Sequence, residues 1–98
     1  MSVTTTQRGE IVVIKLNGNF SFQMNKEFKK TTDQYPANSR YEIDLSGVDH
    51  VESSALGMLL VLRSQCGDDQ ARITLTGANP RVRTLLEISQ FHKLFELR

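Results

Sequence analysis

The chain is organised around residues 44–67, which read DLSGVDHVESSALGMLLVLRSQCG. This pattern predicts the end of a strand, a short loop, and a helix whose first residues are Ser53 and Ser54. Ala, Leu and Met are good helix formers, the apolar residues do not alternate, and the two serines are suitable N-caps. Gly67 stands where a left-handed residue would end the helix.

The two sides of this helix differ in composition. At about 100° per residue, one side is apolar and is the predicted core face: Ala55, Met58, Leu59, Leu62 and Cys66. The other side has almost no charge: Ser53, Gly57, Leu60, Val61 and Ser64. A Gly within a helix lowers helix stability by about 1 kcal/mol relative to Ala, so the presence of Gly57 needs an explanation. Either this side contacts another protein, or a second helix of the same domain covers it.

Length and composition indicate one cytoplasmic domain over residues 1–98. The net charge is +1 and no basic stripe is present, which argues against nucleic-acid binding and against an anionic membrane surface. Cys66 is the one cysteine, so no internal disulfide can form and a reducing compartment is expected. No signal peptide or membrane span is recognisable, so we expect no direct membrane insertion.

The rest of the chain alternates between strand and helix patterns. Residues 3–8 and 11–16 predict a hairpin, and Asn17-Gly18-Asn19 predicts the end of its second strand. The later elements are a helix over 21–35 that ends at Pro36, a strand over 40–45, a strand over 72–76, a helix capped by Asn79, and a last apolar segment over 91–97.

The order of elements is therefore β-β-α-β-α-β-α with a short C-terminal segment. The strand over 40–45, the helix that begins at Ser53 and the strand over 72–76 are expected to form a right-handed parallel crossover, whereas the first two strands form a hairpin. The predicted fold class is α/β, with a small mixed sheet and helices largely on one face.

No arrangement of residues indicates catalysis or a cofactor. His50 and His92 are far apart in the chain and only one Cys is present, so no metal site is expected. No glycine-rich phosphate loop occurs, and no nucleophile-elbow pattern surrounds Ser53 or Ser54. We expect a protein without catalytic residues, without a metal and without a bound cofactor.

Ser53 has two interpretations. Backbone N–H groups and the dipole at a helix N-terminus can accommodate a phosphate, so a phosphoserine would be tolerated there. The phosphate would add close to two negative charges beside Glu52 and would oppose contact with an apolar surface, which describes a switch. Alternatively, Ser53 is an unmodified N-cap that stabilises the helix by about 1 kcal/mol.

Several motifs resemble those of the STAS family, the domain shared by sulfate transporters and bacterial anti-sigma factor antagonists. The most specific are DLSGV over residues 44–48 and VESSALG over residues 51–57. Weaker matches are LNG at 16–18 and LTGANPRV at 75–82. The resemblance covers essentially the whole chain and implies the same mixed fold.

The resemblance also implies a function. In the antagonists of the family, an anti-sigma factor that is also a serine kinase of the histidine-kinase-like ATPase fold phosphorylates the first Ser of the motif. A metal-dependent serine phosphatase reverses this, and the unphosphorylated form binds the anti-sigma factor. By position the modified residue is Ser53, with Ser54 as second choice. The implied partner surface comprises Glu52, Ser53, Ser54, Gly57, Leu60, Val61 and Ser64.

Two residues depart from the family motif. Glu52 stands in place of the usual Asp and keeps its charge, and Ala55 stands in place of the usual Gly and favours a helix more strongly. Some family members are never phosphorylated. The alternative function is therefore a constitutive adaptor that docks on a transporter or a larger regulatory assembly.

Overall fold

The computed structural model describes residues 2–98. Its strands and α-helices are, in chain order, β1 (Ser2–Arg8), β2 (Ile11–Phe20), α1 (Asn25–Thr32), β3 (Arg40–Val51), α2 (Ser53–Gln65), β4 (Ile73–Thr76), α3 (Pro80–Ile88) and β5 (Glu96–Leu97). Short 3-10 helices occupy Phe22–Met24, Asp68–Gln70 and Phe91–Lys93. The predicted α/β fold is confirmed.

The strands form one mixed sheet in the order β1-β2-β3-β4-β5. β1 is antiparallel to β2, and every later pair is parallel. Because successive right-handed crossovers advance in one direction across the sheet, they place the helices on the same face. The strand side chains under the helices are buried: Val12, Ile14, Leu16, Tyr41, Ile43, Leu45, Ile73 and Leu75.

The N-terminal hairpin forms as predicted. β1 and β2 pair without a register break from Ser2 opposite Asn17 to Arg8 opposite Ile11. Gly9 has a φ of 62° while Glu10 is not in the positive-φ region, which is the combination of a type II′ turn. β1 lies at an edge of the sheet.

Two predicted strand ends are wrong. β2 does not stop at residues 17–19 but continues to Phe20, with two register shifts against β3. β3 likewise continues through the expected loop to Val51. The two extensions pair with each other, since Gly18 lies opposite Val48 and Phe20 opposite Val51. Each extension therefore supplies backbone hydrogen bonds that the other needs.

The first helix is shorter than predicted. Phe22–Met24 forms a 3-10 turn, and α1 ends at Thr32, before Pro36. Met24, Phe28 and Thr32 face the core at the predicted helical spacing. Beyond Thr32 the chain turns, and the N–H of Tyr35 donates to the Thr32 carbonyl at 3.2 Å.

The C-terminal segment closes the core as expected. Phe91 and Phe95 are both buried with ring centroids 5.3 Å apart, and the two-residue strand β5 adds to the sheet beside β4. Within residues 2–98, none of the helices combines the length and the apolar composition that a membrane crossing requires.

Candidate functional site

The two sides of α2 separate as the helical spacing predicts. Its core side is buried: Ala55, Met58, Leu59, Leu62 and Cys66. Its other side is exposed: Ser53, Gly57, Leu60, Val61 and Ser64. Leu60 and Val61 keep 41% and 55% of their surface accessible. The interpretation in which another helix of the same domain covers this side is therefore wrong, and we call these five exposed residues the outer face.

α2 begins at Ser53, as predicted, but its N-cap is not one of the serines. The N-cap residue is Glu52, in an extended conformation, and its side chain makes no capping hydrogen bond. Ser53 is the first helical residue, so the interpretation of Ser53 as an N-cap is wrong. The Glu52 N–H donates to the Phe20 carbonyl at 2.9 Å, which ties the start of α2 to the end of β2. The N–H groups of Ser53 and Ser54 have no acceptor within the helix, as is normal for a first turn.

A groove runs alongside the outer face. It has a volume of about 510 Å³ and lies between α2 and the segment formed by the 3-10 turn and α1. Phe22 from the turn and Val61 from α2 line it, and Phe22 is 64% exposed. Ser54 also lines the groove, at its α2 N-terminal end. The sequence did not assign Phe22 to the site; its one signal was an apolar side chain outside the spacing of the core residues.

Gly57 lies in the wall of this groove. A Cβ built on Gly57 would meet no atom within 4 Å beyond its chain neighbours and the backbone of its own helix, so no internal contact requires Gly at this position. Its backbone is not in the left-handed region that favours Gly. The helix therefore carries the cost of a central Gly, about 1 kcal/mol relative to Ala, without a packing reason inside the chain.

The N-terminal end of α2 borders a second, polar depression. Asn19, Gln23, Asp49 and Glu52 line it, with no basic side chain among its lining residues. Ser53 directly follows Glu52 and is exposed beside this acidic rim. Added negative charge on Ser53 would therefore face existing negative charge on one side and the helix N-terminus on the other.

The residues of the Asp44 motif hold the loops at this end of the sheet. The N–H of Ser46 donates to Asp44 Oδ1 at 2.9 Å. Burial opposes ionisation of Asp44, but the hydrogen bonds from Ser46 and the nearby Lys15 outweigh it and lower the pKa of the carboxyl. A Cβ on Gly47 would overlap the Asn17 side chain, so Gly47 lets β2 and β3 approach closely.

Asn79 joins the neighbouring loop to the same region. Its Oδ1 accepts from the N–H of Val82 at 2.8 Å, which confirms it as the cap of α3. Its Nδ2 donates to the Val48 carbonyl at 3.3 Å. The motif residues around Asp44 and Asn79 thus fix the β3 segment and the start of α3 through hydrogen bonds, whereas a Cβ at Gly57 on the outer face would meet no such neighbour.

The His and Cys residues considered for a metal site lie in different elements of the fold. His50 lies in β3 and His92 in the C-terminal 3-10 turn. Across residues 2–98, no group of three or more His, Cys, Asp or Glu side chains has the geometry to hold a metal ion. Cys66 is buried at the end of α2, and this burial raises the pKa of its thiol.

A family model described as "Mlab, STAS domain" matches residues 3–97. The chain belongs to the STAS domain family. A STAS-domain containing protein of Pseudomonas aeruginosa (strain UCBPP-PA14) is 37% identical over 90 residues, which cover 91% of this chain and 89% of that protein. The resemblance in the Asp44 and Ser53 motifs is thereby confirmed at the level of the family.

Solved structures share the STAS fold of this chain. A putative anti-sigma factor antagonist from Thermotoga maritima superposes with a TM-score of 0.84 at 17% identity, covering 97% of this chain and 84% of that one. The anti-sigma factor antagonist SpoIIAA in its unphosphorylated form gives a TM-score of 0.81 at 16% identity, covering 99% and 88%. At these identities the similarity shows a common fold.

Proposed function

We propose that this STAS protein is a cytoplasmic regulatory binding protein whose contact with its partner is switched by phosphorylation of Ser53. The unphosphorylated form binds an anti-sigma factor that is also a serine kinase of the histidine-kinase-like ATPase fold. Phosphorylation releases that partner, and a metal-dependent serine phosphatase restores the binding form. The protein acts by binding and contributes no catalytic residue.

The observation that carries this proposal is the exposed, uncharged outer face of α2. Leu60 and Val61 are exposed together beside Gly57, which no internal contact requires. A surface helix of a protein that binds nothing there would gain stability from Ala at this position. Small and apolar residues beside a groove are instead typical of a surface that another protein approaches closely.

The position of Ser53 supports the switch. Its side chain is exposed in the first turn of α2, where the helix dipole and two open N–H groups favour a phosphate. The same phosphate would stand beside Glu52 and at the border of the outer face. A partner that buries this border would have to desolvate two further negative charges, which opposes binding.

The choice of Ser53 over Ser54 rests on the motif, and the structure distinguishes the surfaces the two serines border. Ser54 lines the apolar groove, whereas Ser53 follows the acidic rim that Glu52 contributes. Two proteins that share this fold are described as anti-sigma factor antagonists, one of them in an unphosphorylated form. That description supports both protein binding and a phosphorylation switch for the present chain.

The test compares the proteins bound by variants of Ser53 expressed in the protein's own cells. We expect Ser53→Ala to retain the partner of the wild type and Ser53→Asp to lose it, because the introduced carboxylate repeats part of the phosphate charge. The measurement is quantitative mass spectrometry of co-purified proteins, followed by titration of the purified partner with each variant and with the phosphorylated protein.

Thr84→Asp provides the matched control, since Thr84 is an exposed hydroxyl residue on α3 rather than α2. It should bind the partner as the wild type does. Ser54→Asp separates the two serines, because phosphorylation at Ser54 would make this variant the weaker binder. The proposal fails if Ser53→Asp and Ser53-phosphorylated protein both bind as tightly as the wild type, a result that would favour the constitutive adaptor.

A further inference from the structure

The two edges of the sheet are protected unequally. One edge is β5, which contains only Glu96 and Leu97, and short, charged edge strands resist pairing with another chain. The other edge is β1, which extends over Ser2–Arg8, contains no Pro, and pairs with β2 without a bulge. Its residues 4–8 are all exposed. Apart from Arg8 at its end, β1 thus lacks the features by which edge strands usually avoid further pairing.

The backbone of β1 offers a regular set of hydrogen-bonding groups. Arg8 and Ile11 flank the two-residue turn, so they exchange hydrogen bonds across the hairpin. Hydrogen-bonded positions alternate along an antiparallel pair. The even-numbered residues of β1 therefore bond to β2, and the remaining three direct their N–H and C=O groups toward the open edge: Val3, Thr5 and Gln7.

We propose that this edge pairs with β1 of a second copy of the same chain, antiparallel and centred on Thr5. A two-fold axis at Thr5 places Val3 opposite Gln7 and Thr4 opposite Thr6 of the other copy. The three outward-directed residues of each strand then exchange about six hydrogen bonds in all. A symmetric contact of this kind uses the same surface on both subunits and closes as a dimer.

The side chains and charges of β1 suit this register. Arg8 is the one charged residue of the strand, and its guanidinium already bonds Glu42 at 2.9 Å. In the Thr5-centred register Arg8 faces Ser2 of the other copy, so no like charges are opposed. The Thr4–Thr6 pairs repeat on both sides of the axis, and threonine pairs across antiparallel strands are stabilising. Any other centre would pair fewer residues of the strand.

The dimer should be weak. A specific stable interface buries about 1,600 Å² in total, and one seven-residue edge strand per subunit supplies less than this. We therefore expect a monomer at low micromolar concentration and a dimer that accumulates between about 0.01 and 1 mM. The resulting sheet would be continuous through both subunits.

A cysteine scan tests the register directly. Paired residues at hydrogen-bonded positions have Cα atoms about 5.5 Å apart, within the range of a disulfide. Thr5→Cys should therefore form a covalent dimer under mild oxidation. Thr4→Cys and Thr6→Cys are matched controls, because each would face a residue other than its own copy and should cross-link at least about tenfold more slowly. The wild type controls for Cys66, which is buried and should react little.

Sedimentation velocity across a concentration series tests the dimer itself. Thr5 is exposed in the monomer, so Thr5→Lys and Thr5→Glu should fold normally, yet each opposes like charges at the axis. Each variant alone should dimerise about fivefold more weakly than the wild type, and an equal mixture of the two should dimerise more strongly than either. Thr84→Lys and Thr84→Glu, which change an exposed residue of α3, should match the wild type throughout.

Two results would overturn the proposal. One is a wild type that remains monomeric at about 1 mM. The other is equal cross-linking of the Thr4, Thr5 and Thr6 variants, which would show contact between copies without the Thr5-centred register. Circular dichroism of each variant verifies that the overall secondary structure is retained, so that loss of the dimer is not loss of the fold.

Discussion

Helices α2 and α3 pack on the same face of the same sheet, but their exposed sides are built differently. α3 begins with the Asn79 cap and Pro80, and carries an Arg83–Glu87 ion pair at 3.6 Å on its surface. α2 begins at Ser53, its N-cap residue Glu52 makes no side-chain capping hydrogen bond, and the helix carries a central Gly. Its outer face holds Leu60 and Val61, whereas α3 has one strongly exposed apolar residue, Ile88, at its last position.

The comparison separates helix stability from surface function. Capping, proline in the first turn and i,i+4 ion pairs stabilise a helix through local interactions, and α3 has all three. α2 has none of these features on its outer face, and tertiary packing of its core side holds it in place. Under the proposed function, this difference reflects the use of the outer face of α2 as a surface for a partner.

The largest expected effect contrasts two adjacent residues of α2. Leu59 is 1% exposed, so Leu59→Ala should leave a cavity and lower the free energy of unfolding by about 2–5 kcal/mol. Leu60→Ala, which removes the same atoms from an exposed position, should change it by less than about 0.5 kcal/mol. Urea denaturation followed by circular dichroism measures both. Similar losses for the two variants would mean that the outer face is part of the core.

The next effect contrasts the N-termini of the two helices. Asn79→Ala removes two hydrogen bonds: the one that caps α3 through the Val82 N–H and the one to the Val48 carbonyl. The variant should lower the free energy of unfolding by about 1–2 kcal/mol. Glu52→Ala removes no side-chain cap and should cost less than about 0.5 kcal/mol. Thermal and urea unfolding of both variants provide the measurement. An equal cost at the two positions would remove this difference between α2 and α3.

The smallest effect concerns glycine. Gly57→Ala adds a Cβ in open space and should raise the free energy of unfolding by about 0.5–1 kcal/mol, because Ala favours the helix. Gly77→Ala is the matched control: Gly77 has a φ of 73° and a Cβ there would meet Ser46 at 2.9 Å, so this variant should be less stable than the wild type. If Gly57→Ala destabilises the protein, an internal reason for Gly57 exists and the argument from the outer face loses its support.

The faces of α2 could be predicted from the sequence because helical spacing is a local property. The residues at one side of the predicted helix, such as Leu59, are the buried ones, and Val61 on the other side is exposed. Of the two helix N-caps, the sequence predicted that of α3 but not that of α2. Asn79 before Pro80 is a specific signal and caps α3 as expected. The start of α2 at Ser53 was also predicted, but its N-cap is Glu52, a residue type that the capping preference does not indicate.

The extensions of β2 and β3 could not be predicted, because they depend on pairing between distant segments. Ser46-Gly47 and residues 17–19 each have the composition of a turn. They remain in the sheet because the two segments pair with each other, with the Asn17 side chain against Gly47, and the sequence pattern does not reveal this pairing. The groove was missed for a similar reason, since Phe22 and Val61 line the same groove only after the fold brings their segments together.

The central claim is that phosphorylation of Ser53 controls the outer face of α2. The most direct test is intact-mass and peptide mass spectrometry of the protein isolated from its own cells with phosphatases inhibited. We predict a fraction that carries one added phosphate, mapped to Ser53, whose size changes among growth, starvation and stress. A protein that is unmodified at Ser53 under all three conditions would contradict the claim.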